Sequence, residues 1–207
     1  MCIRDSLISL LEAIDGPPVA LAGHSIGGTS GLMAAAERPE RVSRLLLLDP
    51  VVWPRQMVWA INLPFAGALS RRFPIVASTL RRRALFDSRE QAMSAYRGRG
   101  AFKGWPDMML ADYLADGLIE TDRGLELACT PAWEASNYAA QAHDPWRALA
   151  RYPGMTRILK AETAGLCAVS PSARRSNVRV ETVTGGGHLF PMTHAELTRD
   201  ALFDLAV

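Results

Sequence analysis

The chain has 207 residues, of which 49% are hydrophobic and 21% charged, the balance of a globular domain rather than of a disordered tail. Its 23 Lys and Arg against 21 Asp and Glu leave a formal charge of only +2, which gives no support to an electrostatic nucleic-acid binder. The length suits one domain, or one domain with a sizeable insertion. The greasiest stretch, residues 51–69, is broken by Pro54, Arg55 and Pro64. It falls short of the roughly 18 uninterrupted apolar residues of a membrane span. Cys2, Cys129 and Cys167 are odd in number and widely spaced, which favours a reducing compartment, with the cytoplasm as the expected location. They offer no metal framework.

The chain opens Met1-Cys2-Ile3-Arg4-Asp5-Ser6, without the basic region and apolar block of a signal peptide. These residues back-translate as ATG TGT ATA AGA GAC AG, which resembles the transposon end of a sequencing-library adapter. They are therefore expected to be a scar on a truncated gene, with the chain starting in mid-fold.

Residues 6–14 place Leu7, Ile8, Leu10, Leu11 and Ile14 at helical spacing, and Gly16 with Pro17-Pro18 ends the helix. Val19-Ala20-Leu21-Ala22 is short and wholly apolar, the pattern of a strand buried on both faces. A tight turn is expected over 23–28, then a helix over 29–37 that ends before Pro39. Arg44-Leu45-Leu46-Leu47-Leu48 is a second apolar strand, closed by Asp49-Pro50, so strand, helix and strand make a parallel crossover. From 51 to about 152 the pattern turns to helical segments punctuated by prolines. Met155–Ala161 and Val178–Val183 read as two further strands. A closing helix is expected over 193–205, with Thr193 and Glu196 at capping-box spacing.

Three turns hold the chemistry. Gly23-His24-Ser25-Ile26-Gly27 matches G-x-S-x-G between a strand and a helix. A hydroxyl that must stand clear of a sheet needs a sharp strand-to-helix bend. The flanking glycines are expected to permit it, since side chains there would strike neighbouring backbone. The following helix points its N-terminal N–H groups at any oxyanion formed beside the serine. Gly185-Gly186-Gly187-His188 follows the last strand, and its glycines let the backbone double back toward the serine.

On these motifs the chain, from about Leu7 onward, resembles the α/β-hydrolase superfamily. The resemblance implies an α/β fold: a mostly parallel sheet with a helical cap inserted after the strand that follows the nucleophile helix. It implies core segments at 1–50 and 151–207, and a cap at 51–150. Family order also implies Ser25 as nucleophile, His188 as general base and the Ile26 backbone N–H as an oxyanion donor. His24 is expected to pack beside the elbow, and His143 and His194 to be surface or cap residues.

For the acid two candidates stay open. Asp49 ends the strand after the nucleophile helix, where some relatives place theirs, and it is preferred. Glu162 lies where the more usual acid turn begins. Serine as nucleophile excludes the alkyl-enzyme ester that a dehalogenase or epoxide hydrolase forms on aspartate, and points to acyl transfer. A second oxyanion donor comes in the family from an early loop often marked His-Gly, a pair this sequence does not contain. The fragment is therefore expected to be nearly inactive.

Trp53, Met57, Trp59, Ile61, Leu63 and Phe65 follow Asp49 closely, and some are expected to line an acyl pocket. Arg71, Arg72, Arg81, Arg82 and Arg83 read as a solvated helix face. The expected activity is hydrolysis of a small-molecule carboxylic ester, with no metal or cofactor, no nucleic acid, no membrane span and an undetermined oligomeric state. A cofactor-free C–C hydrolase or lyase, and a non-catalytic binding module of the same fold, are the alternatives.

Overall fold

The computed structural model describes residues 3–63, 73–140, 142–172 and 175–206, so Cys2, Phe65, Arg71 and Arg72 lie outside the described residues. Among the described residues seven strands follow one another as β1 (Val19–His24), β2 (Val42–Leu48), β3 (Leu85–Phe86), β4 (Leu118–Thr121), β5 (Gly124–Leu127), β6 (Met155–Ala161) and β7 (Val178–Val183). The chain divides into two compact units, Met1–Arg55 with Asp144–Val207, and Gln56–His143.

The first unit is built on a parallel sheet of order β1-β2-β6-β7. Side chains of β2 and β6 alternate between two apolar layers, which is why Leu45-Leu46-Leu47-Leu48 of β2 is an unbroken apolar run. On one side Leu45, Leu47 and Ile158 pack with Ile8 and Leu11 of helix α1 (Ile3–Ala13), Leu32 of helix α2 (Ser25–Glu37) and Leu149 of the helix Pro145–Arg151. On the other, Leu46, Leu48 and Leu159 pack with Phe190 and with Ala201 of the helix Ala195–Ala206.

Strand β1 departs from the expected two-sided burial: Ala20 and Ala22 are exposed. It is the end strand of the described sheet, and its two small alanines share the face that stays open.

Helix α1 begins at Ile3, so part of the segment read as a scar is helical, and Arg4 pairs with Glu37 of α2 at 3.2 Å. One side chain serves carbonyls in the last turn of α1, which the helix itself cannot satisfy, and in the turn just beyond it. The Arg41 guanidinium donates to Leu11 O at 2.9 Å, to Gly16 O at 3.3 Å and to Ile14 O. Gly16 makes the turn at φ +114°, a conformation side chains resist.

Helix α2 starts at Ser25 itself, four residues before the expected start, because β1 passes into it with no intervening loop. The expected capping box is absent. Thr193 instead closes the short helix Phe190–Thr193, its hydroxyl 3.4 Å from Phe190 O and 2.9 Å from His194 Nδ1.

The second unit contains the helices Pro74–Leu80, Arg89–Tyr96, Asp107–Gly117 and Pro131–Ala139, and a three-stranded antiparallel sheet of order β3-β5-β4 that the sequence reading lacked. Strands of two to four residues that carry Glu120, Thr121 and Glu126 show no apolar alternation to read. The core of this unit is Phe86, Phe102, Leu110, Leu114, Leu118 and Leu127.

Nor do Arg81, Arg82 and Arg83 form a solvated helix face. They follow the end of the Pro74–Leu80 helix, where Arg82 pairs with half-buried Glu134 at 2.6 Å and Arg83 lies 4.7 Å over the Phe86 ring. Among the described residues no helix is long and apolar enough to cross a membrane.

Candidate active site

At the junction of β1 and α2, Ser25 sits at φ +54°. For an L-residue that left-handed conformation costs roughly 1–2 kcal/mol, so the surroundings must hold it. They do so by backbone contact. A Cβ on Gly23 would lie 2.7 Å from the carbonyl of Gly27 and the nitrogen of Gly28, and a Cβ on Gly28 would lie 2.8 Å from Gly23 O. Gly27, by contrast, faces open space. The spatial demand expected of both flanking glycines therefore falls on Gly23 and Gly28. Thr29, buried one turn into α2, fastens the bend to the segment that follows β2: its hydroxyl lies 2.9 Å from Val51 O and 3.3 Å from Ser25 O.

Asp49, immediately after β2, is fully buried and also has positive φ, +39°. Its Oδ1 accepts the Ala161 N–H at 3.0 Å, and its Oδ2 accepts the Leu166 N–H at 2.9 Å. Gly165 leaves the room for this, since a Cβ there would come within 3.1 Å of Oδ1. Burial alone would push the carboxyl's pKa up. Hydrogen bonds from His188 and from the Ala161 and Leu166 N–H groups outweigh it, and the carboxyl is held below the usual aspartate range.

His188 arrives on the triple-glycine loop. Gly185 turns at φ +71°, and Gly186 O accepts the N–H groups of Glu162 and Thr163 at 2.9 and 3.1 Å. The imidazole spans the other two groups: Nδ1 lies 2.6 Å from Asp49 Oδ2, and Nε2 lies 2.9 Å from Ser25 Oγ. An ionised carboxylate only accepts, so Nδ1 carries the hydrogen, and in the neutral ring Nε2 presents its lone pair to the serine hydroxyl.

Ser25, His188 and Asp49 thus stand in one line of hydrogen bonds, and Glu162 stands outside it. The Glu162 carboxylate is exposed and accepts the Gly185 N–H at 2.8 Å. Ile26 lies in the first turn of α2, where backbone N–H groups have no partner within the helix. His24 packs beside the elbow, its ring 4.9 Å from that of His188 and its Nε2 2.8 Å from His188 O. His194 borders the Gly185 turn rather than the line, and His143 belongs to the second unit.

Of the expected pocket residues, Trp53 lies in the first unit, where its carbonyl accepts Trp146 Nε1 at 2.8 Å. Trp59, Met57 and Leu63 are exposed, and Ile61 is half-buried.

Several participants carry no sequence signal. Ala161 and Leu166 contribute backbone N–H groups, which any residue but proline could supply. Thr29 looks like an ordinary helical residue. Gly165, four residues after β6 ends, is the one signal that could have pointed to a close approach. Among the described residues, no group of three or more His, Cys, Asp or Glu side chains could hold a metal ion.

A parallel sheet that presents a strained serine at the junction of β1 and α2, with aspartate at the end of the neighbouring strand β2 and histidine on the loop after β7, has the pattern of the α/β-hydrolase fold. The chain belongs to the alpha/beta hydrolase family, which it matches over residues 3–201.

Among curated proteins it is similar to the lipase LipV of Mycobacterium tuberculosis, 45% identical over 47 residues. That stretch spans 23% of this chain and only 18% of the lipase. Among solved structures it is similar to an E-2-(acetamidomethylene)succinate hydrolase, with TM-score 0.77, 20% identity, and 98% of this chain against 71% of that one. A marine microorganism esterase matches at TM-score 0.64 and 14% identity over 98% of this chain and 75% of its own. At such identities the structural likeness is one of fold.

Proposed function

We propose that the protein is a serine hydrolase that cleaves a carboxylic ester through an acyl-enzyme, with Ser25 as nucleophile, His188 as general base and Asp49 as the acid that orients it. The observation that carries this is the unbroken line Asp49 Oδ2, His188 Nδ1, His188 Nε2, Ser25 Oγ, at 2.6 and 2.9 Å. Ser25 Oγ attacks the ester carbonyl as its proton passes to His188 Nε2. The buried negative charge of Asp49 stabilises the imidazolium so formed. The tetrahedral oxyanion is met by the Ile26 N–H and the N-terminal end of α2. Collapse expels the alcohol, which takes the proton from His188. Water then attacks the acyl-enzyme with His188 again as base, releasing the carboxylic acid and restoring Ser25. The names of the lipase and the esterase it resembles favour an ester over other acyl bonds.

Within the expected cap at 51–150, we assign selection of the acyl or alcohol group to the second unit, Gln56–His143, and the catalytic core to the first, Met1–Arg55 with Asp144–Val207.

A panel of p-nitrophenyl esters tests the proposal. Turnover by the wild type that is lost in Ser25→Ala is expected. Equal rates from the two proteins would contradict it.

A further inference from the structure

His24 makes an unusual choice of partner. It occupies the residue before α2, yet its side chain makes no capping bond to that helix. Its Nε2 instead reaches across to the carbonyl oxygen of His188, 2.8 Å away, and a carbonyl only accepts, so Nε2 bears the hydrogen. The two residues are 164 positions apart in sequence. Residues 24 and 25 thus touch the same partner at two points: His24 grips the backbone of His188 while Ser25 touches its ring at 2.9 Å.

The need for such a grip follows from the loop's composition. Three consecutive glycines have no side chains to pack and lose more entropy on ordering than any other residue type. Their order must come from tethers. Glu162 holds Gly185 N, and the N–H groups of Glu162 and Thr163 hold Gly186 O. Both tethers stop short of residue 188, whose ring meets Asp49 and Ser25 while its backbone carbonyl meets His24.

We infer that His24 is a positioning residue, a neutral imidazole whose Nε2–H anchors the His188 backbone and so sets the distance from the base to the Ser25 hydroxyl. Burial, with the nearby His188 working in the same direction, holds the His24 pKa below 6.5, though the bond to His188 O and the Asp49 charge oppose this. Neutrality suits the task, because a charged ring 4.9 Å from the His188 ring would oppose an imidazolium there. The inference rests on the proposed roles of Ser25 and His188, and it adds a residue that touches neither substrate nor the transferred proton.

Two measurements test it separately from those roles. Nitrogen-15 NMR of histidine-labelled wild type near pH 8, with His24 assigned by its loss in His24→Gln, reads the tautomer without any need for turnover. A hydrogen on Nε2 is expected, and a hydrogen on Nδ1 would overturn the inference even in an inactive protein.

Ester hydrolysis then compares His24→Phe with His24→Gln, which keeps a donor. The Phe variant is expected to lose about 10–100-fold in kcat, as for a modestly misplaced base, with KM little changed. The Gln variant should recover most of the loss. Should His24→Phe fail to fold, His24→Leu takes its place in the comparison with His24→Gln. A donor-free variant that folds and keeps wild-type kcat and pH profile would overturn the inference while leaving the Ser25 and His188 roles intact. Absence of turnover in the wild type would instead strike those roles and leave the tautomer result to decide for His24.

Discussion

Asp49 and His188 lie 139 positions apart in sequence and meet at 2.6 Å, with the carboxylate fully buried and the imidazole partly open. Three donors converge on that carboxylate, from His188, Ala161 and Leu166. These three bonds hold it below the usual aspartate range, and the one from His188 links its charge through the imidazole to Ser25.

Replacing Asp49 with Asn keeps the shape but offers the Nδ1 side a group that no longer fixes the tautomer. A loss of about 10⁴-fold in kcat is expected, by analogy with the same change in serine proteases. Glu162→Gln should cost less than about tenfold, since its amide oxygen can still accept the Gly185 N–H and one exposed bond of this kind contributes about 1 kcal/mol. Steady-state ester hydrolysis by both variants checks this, and a larger loss in Glu162→Gln would reverse the assignment of the acid.

The elbow predicts a contrast within its glycines. Gly27→Ala meets nothing and should leave the melting temperature near that of the wild type. Gly23→Ala and Gly28→Ala each drive a Cβ to within 2.8 Å of backbone that cannot step aside, and should destabilise by more than about 2 kcal/mol or prevent folding. Thermal denaturation of the three variants decides.

Two depressed pKa values fix how stability should depend on pH. Folded Asp49 ionises below its ordinary value, so its contribution is complete above about pH 4, where the unfolded chain also ionises, and fades as pH falls through the folded pKa. For His24 the folded state resists a proton that the unfolded chain accepts below about pH 6.5. Stability should therefore drop as pH falls from there toward the folded value. Urea unfolding at stepped pH is expected to show a shallower slope below 6.5 in His24→Gln, and a shallower slope below 4 in Asp49→Asn.

A third buried group is structural. Tyr152 follows the helix Pro145–Arg151 and donates its hydroxyl to Val42 O at 2.9 Å, while burial pushes its phenol up to about 12. Tyr152→Phe leaves that carbonyl without its donor and should cost about 1–3 kcal/mol in urea unfolding, with kcat unchanged.

How much of this could be read from the sequence depended on the range over which each cause acts. The strands Met155–Ala161 and Val178–Val183 were legible to the residue, because their apolar pattern ends where the chain turns. Ser25 and His188 stood out because glycines mark tight backbone on either side of them. The preference for Asp49 over Glu162 rested on the resemblance, not on local pattern. Both end strands near the histidine, and only the packing of β2 beside β6 decides which carboxylate meets Nδ1. The helix start at Ser25 was missed because glycine-rich sequence reads as turn, whereas here Gly28 serves close packing inside α2. His24 read as a mere neighbour of the serine, since its partner is a backbone carbonyl distant in sequence.

The most direct test is reaction with a fluorophosphonate, which labels a serine only where a base activates it. The intact chain should become labelled, with the modified residue mapped to Ser25 by peptide mass spectrometry and the rate lowered at least about 100-fold in His188→Gln. Labelling at another residue, or an equal rate after His188 is removed, would contradict the assignment of Ser25 and His188 as nucleophile and base.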